Sequence, residues 1–218
     1  MIHEFAVVLA HSDKLLSGLA NTVLLAGIGS LLALLLGALM AMALMARSPV
    51  LRFSMQGLVD AMRCVPFLML AYIVYYGLPS LGINFDNFTA GLVALVVYNS
   101  AYMAEILRGA WSRLPPDYTQ AAHSFGFHGF TMYRRIILPP IAMAAAPIIG
   151  NQVIQVIKDT AFLMIIAVPE LTHAASSIQS TYYVPFAAFL SAIALYWLLC
   201  AMVEWGVRGV EHIAEKRR

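Results

Sequence analysis

The stretch that decides the fold is residues 18–46, GLANTVLLAGIGSLLALLLGALMAMALMA, which runs for 29 residues without an acidic or basic side chain. An α-helix needs about 20 apolar residues to cross the hydrocarbon core of a bilayer. Four more windows without Asp, Glu, Lys or Arg follow, at residues 64–85, 87–104, 136–157 and 184–203. All of them are continuously apolar rather than alternating, which favours membrane-spanning helices over the strands of a barrel.

The composition supports the same class of protein. The chain has 218 residues, of which 61% are hydrophobic and 11% charged, whereas a soluble domain carries about 25% charged residues. We therefore predict an all-α membrane protein that forms a single transmembrane domain over residues 1–218. Its five transmembrane helices are expected at about 18–46, 57–80, 87–108, 136–157 and 184–207.

The positive charges are divided unevenly between the two sides that five spans create. One side carries 11 Lys and Arg residues and the other carries 2. The larger group is Arg47, Arg52, Arg63, Arg108, Arg113, Arg134, Arg135, Arg208, Lys216, Arg217 and Arg218, and the smaller is Lys14 and Lys158. Cytoplasmic segments are richer in Lys and Arg. We therefore expect the N-terminus outside, and the C-terminus and the segment 105–135 in the cytoplasm.

The longest hydrophilic stretch is this cytoplasmic segment, and its central part, at about 113–135, has helix signals. Asp117 followed by Gln120 is a capping-box pattern after two prolines, and Gly126 stands where a left-handed residue ends a helix. A second short amphipathic stretch follows at 130–135. Phe125, Phe127 and Phe130 are expected to be exposed, which favours docking against a partner or the bilayer interface, although a plain connecting loop is the alternative.

The motifs in this segment resemble the EAA loop of ABC-importer permeases, in the branch that takes up polar amino acids. The resemblance is carried by Gln120-Ala121-Ala122, Gly126, Ile137-Leu138-Pro139, Ala101-Tyr102-Met103-Ala104-Glu105-Ile106-Leu107-Arg108-Gly109, Arg63-Cys64-Val65-Pro66, Pro147 with Asn151 and Gln152, and Lys158-Asp159-Thr160. Along the chain these elements occur in the same order as in the family, and the resemblance covers roughly residues 18–205.

The resemblance implies a function, a set of partners and a location. It implies that the chain is the membrane-spanning subunit of an ATP-driven importer of amino acids or related small polar solutes in the bacterial inner membrane. In the family this loop forms coupling helices that contact the ATPase, which here implicates Gln120, Ala121, Ala122, Gly126, Phe127 and Phe130. ATP and Mg²⁺ are then bound by the ATPase, and this chain needs no cofactor. The implied partners are an ATPase dimer, a second permease chain, an external solute-binding protein near residues 84–87 and 170–183, and membrane lipid, with no nucleic acid.

Three departures mark a divergent member of that family. Gln120 replaces the usual glutamate, which removes a charge that could pair with the ATPase. Asp117 and Tyr118 replace a Gly-Gln pair, and Ala161-Phe162 follows the Lys-Asp-Thr element in place of Ser-Leu.

Polar groups at membrane depth are functional candidates because they are costly in lipid. Tyr98, Asn99 and Tyr102 on the third span, and Asn151, Gln152 and Gln155 on the fourth, either line a translocation path or bond neighbouring helices. Four charged residues, Arg63, Glu105, Lys158 and Asp159, are interpreted as structural or gating groups. By i, i+3 spacing Glu105 can pair with Arg108, and Asp60 with Arg63, whereas Lys158 and Asp159 can form a local pair.

The sequence does not predict an enzyme. It contains no G-x-x-x-x-G-K-[ST], H-E-x-x-H or G-x-S-x-G pattern, and its histidines are too scattered to predict a metal site. The energy for transport must come from a partner or from an ion gradient. A self-contained, ion-coupled secondary transporter is therefore the alternative, and it would show an inverted repeat and a buried carboxylate relay. We find no convincing repeat, and five helices are few to enclose a path, so a two-fold dimer is expected.

Overall fold

The structure is a computed structural model that describes residues 2–215, with the side chains of residues 3–209. Its described part is nearly all helical and contains no strand, as predicted. In chain order the α-helices are α1 (Ile2–Ala10), α2 (Ser12–Leu44), α3 (Pro49–Cys64), α4 (Phe67–Tyr72), α5 (Asn87–Ser112), α6 (Asp117–Ser124), α7 (Gly129–Met132), α8 (Leu138–Thr160), α9 (Leu171–Tyr182) and α10 (Pro185–Glu215). Lys216, Arg217 and Arg218 from the charge count lie outside the described residues.

Four segments of the described chain are long and apolar enough to cross a membrane: Ser12–Leu44, Asn87–Ser112, Gly129–Ile166 and Pro185–Gly209. A fifth span is possible if α3 and the helical segment Phe67–Leu81 count as one. The third of these segments, Gly129–Ile166, is longer than the charge-free window at 136–157, because a π-helical turn at Tyr133–Ile137 precedes α8 and a 3₁₀ turn at Ala161–Ile166 follows it. These segments agree with the predicted membrane class.

The second predicted span, at 57–80, is not a straight helix. The chain bends by 100° between α3 and the segment that begins at Phe67. Val65 and Pro66 have extended backbones, with ψ of 135° and 132°, because proline disfavours helical geometry in the residue before it and lacks the N–H that would continue the helix. Most side chains of α3 are exposed, and Val59 is its fully buried residue.

The centre of the bundle is the contact between α2 and α5. A Cβ atom on Gly37 would lie 2.6 Å from the Met103 Cβ and 2.9 Å from the Ser100 carbonyl oxygen. Small residues at such a crossing let two helix backbones approach closely, which is the usual way that membrane helices pack. This contact places Asn99, which lies midway along α5, in the interior of the bundle.

Two further close contacts fix the remaining helices. Gly150 of α8 lies against Val207 of α10, so these helices run side by side. Gly18 of α2 lies against Ala174 and the Glu170 carbonyl oxygen, which brings α9 onto the first turns of α2. The short helices α6 and α7 therefore lie near one end of the bundle, and α9 lies at the other.

Candidate functional site

The segment at 113–135 contains the two short helices predicted for it, but the first has a different cap. α6 begins at Asp117, and Pro116 is its N-cap residue without a side-chain bond to the helix. The predicted capping box of Asp117 and Gln120 is therefore wrong. The Pro116 carbonyl accepts from the Gln120 amide at 3.2 Å and from the Thr119 hydroxyl at 2.7 Å, because proline already holds φ at a helical value.

Gly126 ends this helix in the left-handed conformation that was predicted, with φ of 75°. The amide of Gly126 donates to the His123 carbonyl at 3.0 Å, and the amide of Phe127 donates to the Ala122 carbonyl at 2.9 Å. The His123 and His128 Nδ1 atoms lie 3.2 Å apart across the same turn. The turn is thus fixed by backbone bonds on one side and by paired imidazoles on the other.

The two faces of this segment differ in exposure. Phe125 and Phe130 are 82% and 76% exposed, so they present a large apolar surface outside the bundle. Ala122 and Met132 are buried in a cluster against the end of α5, and Phe127 packs on that cluster. The prediction that Phe127 is exposed is therefore wrong, because the turn at Gly126 points it inward. Gln120 and Ala121 are exposed beside Phe125.

A buried polar network crosses between α5 and α8 near the middle of both spans. The Gln152 side-chain amide donates to Asn99 Oδ1 at 2.7 Å, and Asn99 donates to the Leu95 carbonyl at 3.1 Å. Asn99 is fully buried. Hydrogen bonds of this kind hold membrane helices together, so these two predicted pathway residues have at least a structural role.

An exposed polar stripe runs along the other side of α8. Asn151, Gln155 and Lys158 are all exposed and fall at i, i+4 and i+7, which puts them on one face of the helix. Lys158 also lines a cleft of about 490 Å³ with apolar residues of α8 and α10 such as Ile193 and Trp197. Among the described residues the ion pairs are Arg63–Asp60, Arg108–Glu105 and Arg208–Glu204. The expected pairing of Lys158 with Asp159 is thus absent from the described part.

Asp159 lies at the buried edge of that stripe, next to Gln155. Its side chain is buried, and Oδ1 accepts from the Gln155 amide at 2.9 Å. Its Oδ2 atom is buried and has no hydrogen-bond partner among the described residues. An unpaired carboxylate oxygen is costly at this depth unless a cation or a donor reaches it, so Asp159 is the acid in this region with capacity to bind one more group.

A second polar cleft lies where α3 meets α5. Asp60, Arg63, Cys64 and Tyr102 line a volume of about 350 Å³. The Arg63 guanidinium lies 5.6 Å from the centre of the Tyr102 ring, a cation–π distance, and the Tyr102 and Tyr98 hydroxyls are 3.1 Å apart. These tyrosines therefore form part of the α3–α5 contact.

The two ion pairs predicted from i, i+3 spacing are formed. Asp60 and Arg63 approach to 3.9 Å, and Glu105 makes a two-point contact with Arg108, with 2.9 Å between Nε and Oε2. The first pair lies within α3 and the second within α5, and both are at least partly exposed.

A cluster that sequence reasoning did not assign lies around Glu170. This acid is fully buried, caps α9, and accepts the Tyr196 hydroxyl of α10 at 2.7 Å. The sequence assigns no role to Tyr196, and it places Glu170 only in the outer segment 170–183. The available signal was that this acid directly precedes residues 171–203, a run of 33 residues without Lys, Arg, Asp or Glu.

Three features of the structure together are typical of one class of protein. A helical bundle with several membrane spans has a polar stripe at mid-depth and an exposed apolar segment at one end, and no three His, Cys, Asp or Glu side chains of the described chain could hold a metal ion. This arrangement is that of an integral membrane transport subunit.

The comparisons with known proteins identify the family. The sequence profile described as "Binding-protein-dependent transport system inner membrane component" matches residues 33–212, and the chain belongs to this family. A probable glutamine ABC transporter permease protein, GlnM, of Bacillus subtilis is 32% identical over 72% of this chain and 73% of its own length. The octopine transport system permease protein OccQ of Rhizobium meliloti is 31% identical over 86% and 84%.

The solved structures agree with the fold. An amino acid ABC transporter crystallised with histidines superimposes with a TM-score of 0.88 and 27% identity, covering 95% of this chain and 97% of the other. A chain of the inward-facing MetNI methionine ABC transporter, at 15% identity, shares the fold with a TM-score of 0.71 over 92% and 98% of the two chains. The chain is thus an ABC-transporter permease of the bacterial inner membrane, a class of transport subunit rather than of enzyme.

Proposed function

We propose that this chain forms half of the translocation path of an importer for amino acids or related small polar solutes. The relatives named for glutamine and octopine, and the structural neighbour crystallised with histidines, support this substrate class. A second permease chain, either a copy or a close relative, supplies the other half. An ATPase dimer, which binds ATP and Mg²⁺, supplies the energy.

The observation that carries the proposal is the exposed stripe on α8. Asn151, Gln155 and Lys158 lie on one face of a span and are exposed, with Lys158 at the edge of the cleft beside α10. A lysine in a membrane-spanning segment is costly if it faces lipid. The stripe is therefore expected to face a water-filled path that is closed on its far side by the second chain.

The charges at this depth fit a zwitterionic solute. Lys158 provides a cation without an acidic partner in the described residues, and Asp159 provides the unpaired oxygen Oδ2 in the helical position beside it. An amino acid carries one carboxylate and one ammonium group, and charge-assisted hydrogen bonds to both are stronger than neutral ones. We assign Lys158 to the carboxylate and Asp159 to the ammonium, with Asn99 and Gln152 holding the α5–α8 wall in place.

The exposed segment at the other end of the bundle is the site proposed for the ATPase. Phe125 and Phe130 supply apolar surface, and Gln120 and Ala121 lie beside them. Because the buried face of this segment packs on α5 through Ala122, Met132 and Phe127, movement of the ATPase would be passed to the bundle. By the positive-inside rule this end faces the cytoplasm, and the opposite end, with residues 84–87 and 170–183, faces a solute-binding protein.

The test is transport by the assembled complex. The tagged chain is purified from its native membrane in mild detergent together with the proteins that it retains, and is reconstituted into proteoliposomes. Uptake of a panel of radiolabelled basic, acidic and neutral amino acids is then measured with ATP and with ADP inside the vesicles. ATP-dependent uptake of one group is the expected result. Uptake that needs a proton or sodium gradient and no ATPase would establish the secondary transporter instead.

A further inference from the structure

Glu170 is a fully buried acid without a basic partner among the described residues, and its role is not explained by the translocation path. Its carboxylate accepts the Thr172 amide at 2.8 Å and the His173 amide at 2.6 Å, which caps the N-terminus of α9. These bonds account for the local structure. A surface serine, threonine or aspartate would cap the helix as well, so the burial of a glutamate here needs a second reason.

That reason is the contact with Tyr196 in the middle of α10. The Tyr196 hydroxyl donates to Glu170 Oε2 at 2.7 Å and also lies 3.1 Å from the Thr172 hydroxyl and 3.4 Å from the Thr160 hydroxyl. Thr160 is the last residue of α8 and follows Asp159 directly. One hydroxyl group therefore lies between the first turn of α9 and the end of α8 that carries the unpaired carboxylate.

The packing of Tyr196 also joins α8 to α9. Its ring contacts the apolar cluster that contains Val156 and Ile157 of α8, and also the separate cluster that contains Leu171 and Ala175 of α9. A displacement of α9 would thus be passed to α8 through both the ring and the hydroxyl.

The other side of α9 is a polar surface at the end of the bundle. It borders a cleft of about 340 Å³ whose lining includes Asp13 and Lys14 of α2 and His173 and Ser177 of α9. α9 is also fastened to α2, because the Leu171 amide donates to the Thr22 hydroxyl at 3.1 Å. A partner that docks on this cleft would act directly on α9.

We propose that Glu170 and Tyr196 are positioning residues that couple α9 to the charged end of α8, so that docking of the solute-binding protein on α9 changes the position of Asp159. This inference rests on the proposed function, because it requires an external partner and a path along α8. It adds a specific route for the signal, through one hydroxyl and one buried carboxylate.

The test compares basal with partner-stimulated ATP hydrolysis by the purified complex in proteoliposomes. The probe is the solute-binding protein that co-purifies with the complex, loaded with the amino acid that gives uptake. Tyr196→Phe removes the shared hydroxyl and keeps the ring. It is expected to lower the stimulation ratio about tenfold, because a hydrogen bond to a charged group is lost, while basal hydrolysis remains near the wild-type rate. Tyr76→Phe, which removes the hydroxyl of an exposed tyrosine outside both apolar clusters that Tyr196 contacts, is the matched control and should keep wild-type stimulation.

A second variant separates coupling from simple destabilisation. Thr160→Val removes the α8 contact of the same hydroxyl, and it should lower the ratio in the wild-type background but add nothing to Tyr196→Phe. If Tyr196→Phe lowers basal and stimulated hydrolysis by the same factor, or if the effects of the two variants multiply, the coupling role is overturned. A wild-type complex that hydrolyses no ATP would instead count against the proposed function.

Discussion

At the residue scale, the chemistry of this protein depends on polar side chains that are placed where polar groups are costly. Asn99 and Gln152 satisfy each other across two helices, whereas Asp159 keeps an unpaired oxygen beside them. A membrane interior does not provide water to compensate such an atom. The simplest physical reason for its presence is a cationic group that arrives during transport.

Replacement of Asp159 by Asn tests this reading. The change removes the charge that would bind an ammonium group, so uptake by the reconstituted complex should fall about ten- to a hundredfold, as expected for a lost charged hydrogen bond. Because it also removes a buried unpaired charge, the thermal unfolding midpoint in detergent should stay the same or rise. Glu204→Gln, on the exposed face of α10, is the control. Wild-type uptake by Asp159→Asn would show that the carboxylate does not bind solute.

Asp86, in the loop before α5, is expected to make a pH-dependent contribution to the stability of the folded protein. The Thr89 hydroxyl donates to Asp86 Oδ1 at 2.6 Å, and this bond together with the capped amides lowers the pKa of the Asp86 carboxyl. A lowered folded-state pKa means that the cap stabilises fully above the ordinary Asp value of about 3.9 and loses this contribution as the pH falls through the folded-state value. The gap in unfolding midpoint between wild type and Asp86→Ala should therefore narrow from pH 6 to pH 3. A constant or widening gap would contradict the assignment.

Part of this detail could be predicted from the sequence. The pairs Glu105–Arg108 and Asp60–Arg63 follow from spacing on one helix, and the amides of α8 could be identified as polar groups in an apolar window. The different exposure of Lys158 and Asp159 could not be predicted, because it depends on which side of α8 packs on α5. The contact of Glu170 with Tyr196 joins residues 26 positions apart and required the tertiary structure.

At the scale of single elements, the turn at Gly126 determines the shape of the exposed segment. Glycine adopts this φ of 75° without strain, and a Cβ atom at this position would meet nothing within 4 Å. Any effect of a substitution therefore comes from backbone strain rather than from a clash, at about 1–2 kcal/mol for most residues. Asparagine tolerates this conformation better than other side chains.

We expect Gly126→Leu to uncouple ATP hydrolysis from uptake while the chain remains inserted in the membrane. Gly126→Asn should retain most of the coupling, because it keeps the left-handed backbone. The measurement is the number of solute molecules taken up for each ATP hydrolysed in proteoliposomes. Equal coupling ratios in wild type and Gly126→Leu would show that this turn does not transmit movement.

The contact of α2 with α5 gives a prediction about stability. Gly37→Ala places a Cβ atom 3.0 Å or less from the backbone of Ser100 and Ala104, and overpacking of this kind costs about 1–3 kcal/mol. Gly27→Ala, on the exposed side of the same helix with nothing within 4 Å, is the matched control and should be neutral or slightly stabilising. Unfolding midpoints in detergent measure both variants. Equal midpoints for the two would contradict the packing of these helices.

The elements themselves were predictable to different degrees. The charge-free windows located the apolar spans because lipid excludes charge regardless of tertiary structure. Hydropathy carries no information about direction, so the 100° bend at Val65 and Pro66 was missed inside a continuous apolar window. The cap of α6 is Pro116 rather than Asp117, because a proline with a helical φ can begin the helix one residue earlier than the capping-box pattern predicts.

At the scale of the whole molecule, the bundle has two kinds of exposed membrane surface. α2 presents apolar side chains such as Leu31, which is 59% exposed, and this surface fits lipid. α8 presents the stripe of Asn151, Gln155 and Lys158, which does not. In the function that we propose, one chain forms one wall of a path, and a second permease chain facing the stripe completes it.

The measurement that tests this account most directly is the reactivity of cysteines placed on these two surfaces. Cys64 and Cys200 are first replaced by serine, and Gln155→Cys and Leu31→Cys are then introduced separately into the assembled complex in proteoliposomes. Thiols react as thiolates, which form in water and not in lipid. A membrane-impermeant thiol reagent should therefore modify Gln155→Cys at least about tenfold faster than Leu31→Cys, and a transported amino acid should slow that reaction. Equal, slow modification of both cysteines would show that the α8 stripe does not face a water-filled path, and the central claim would be wrong.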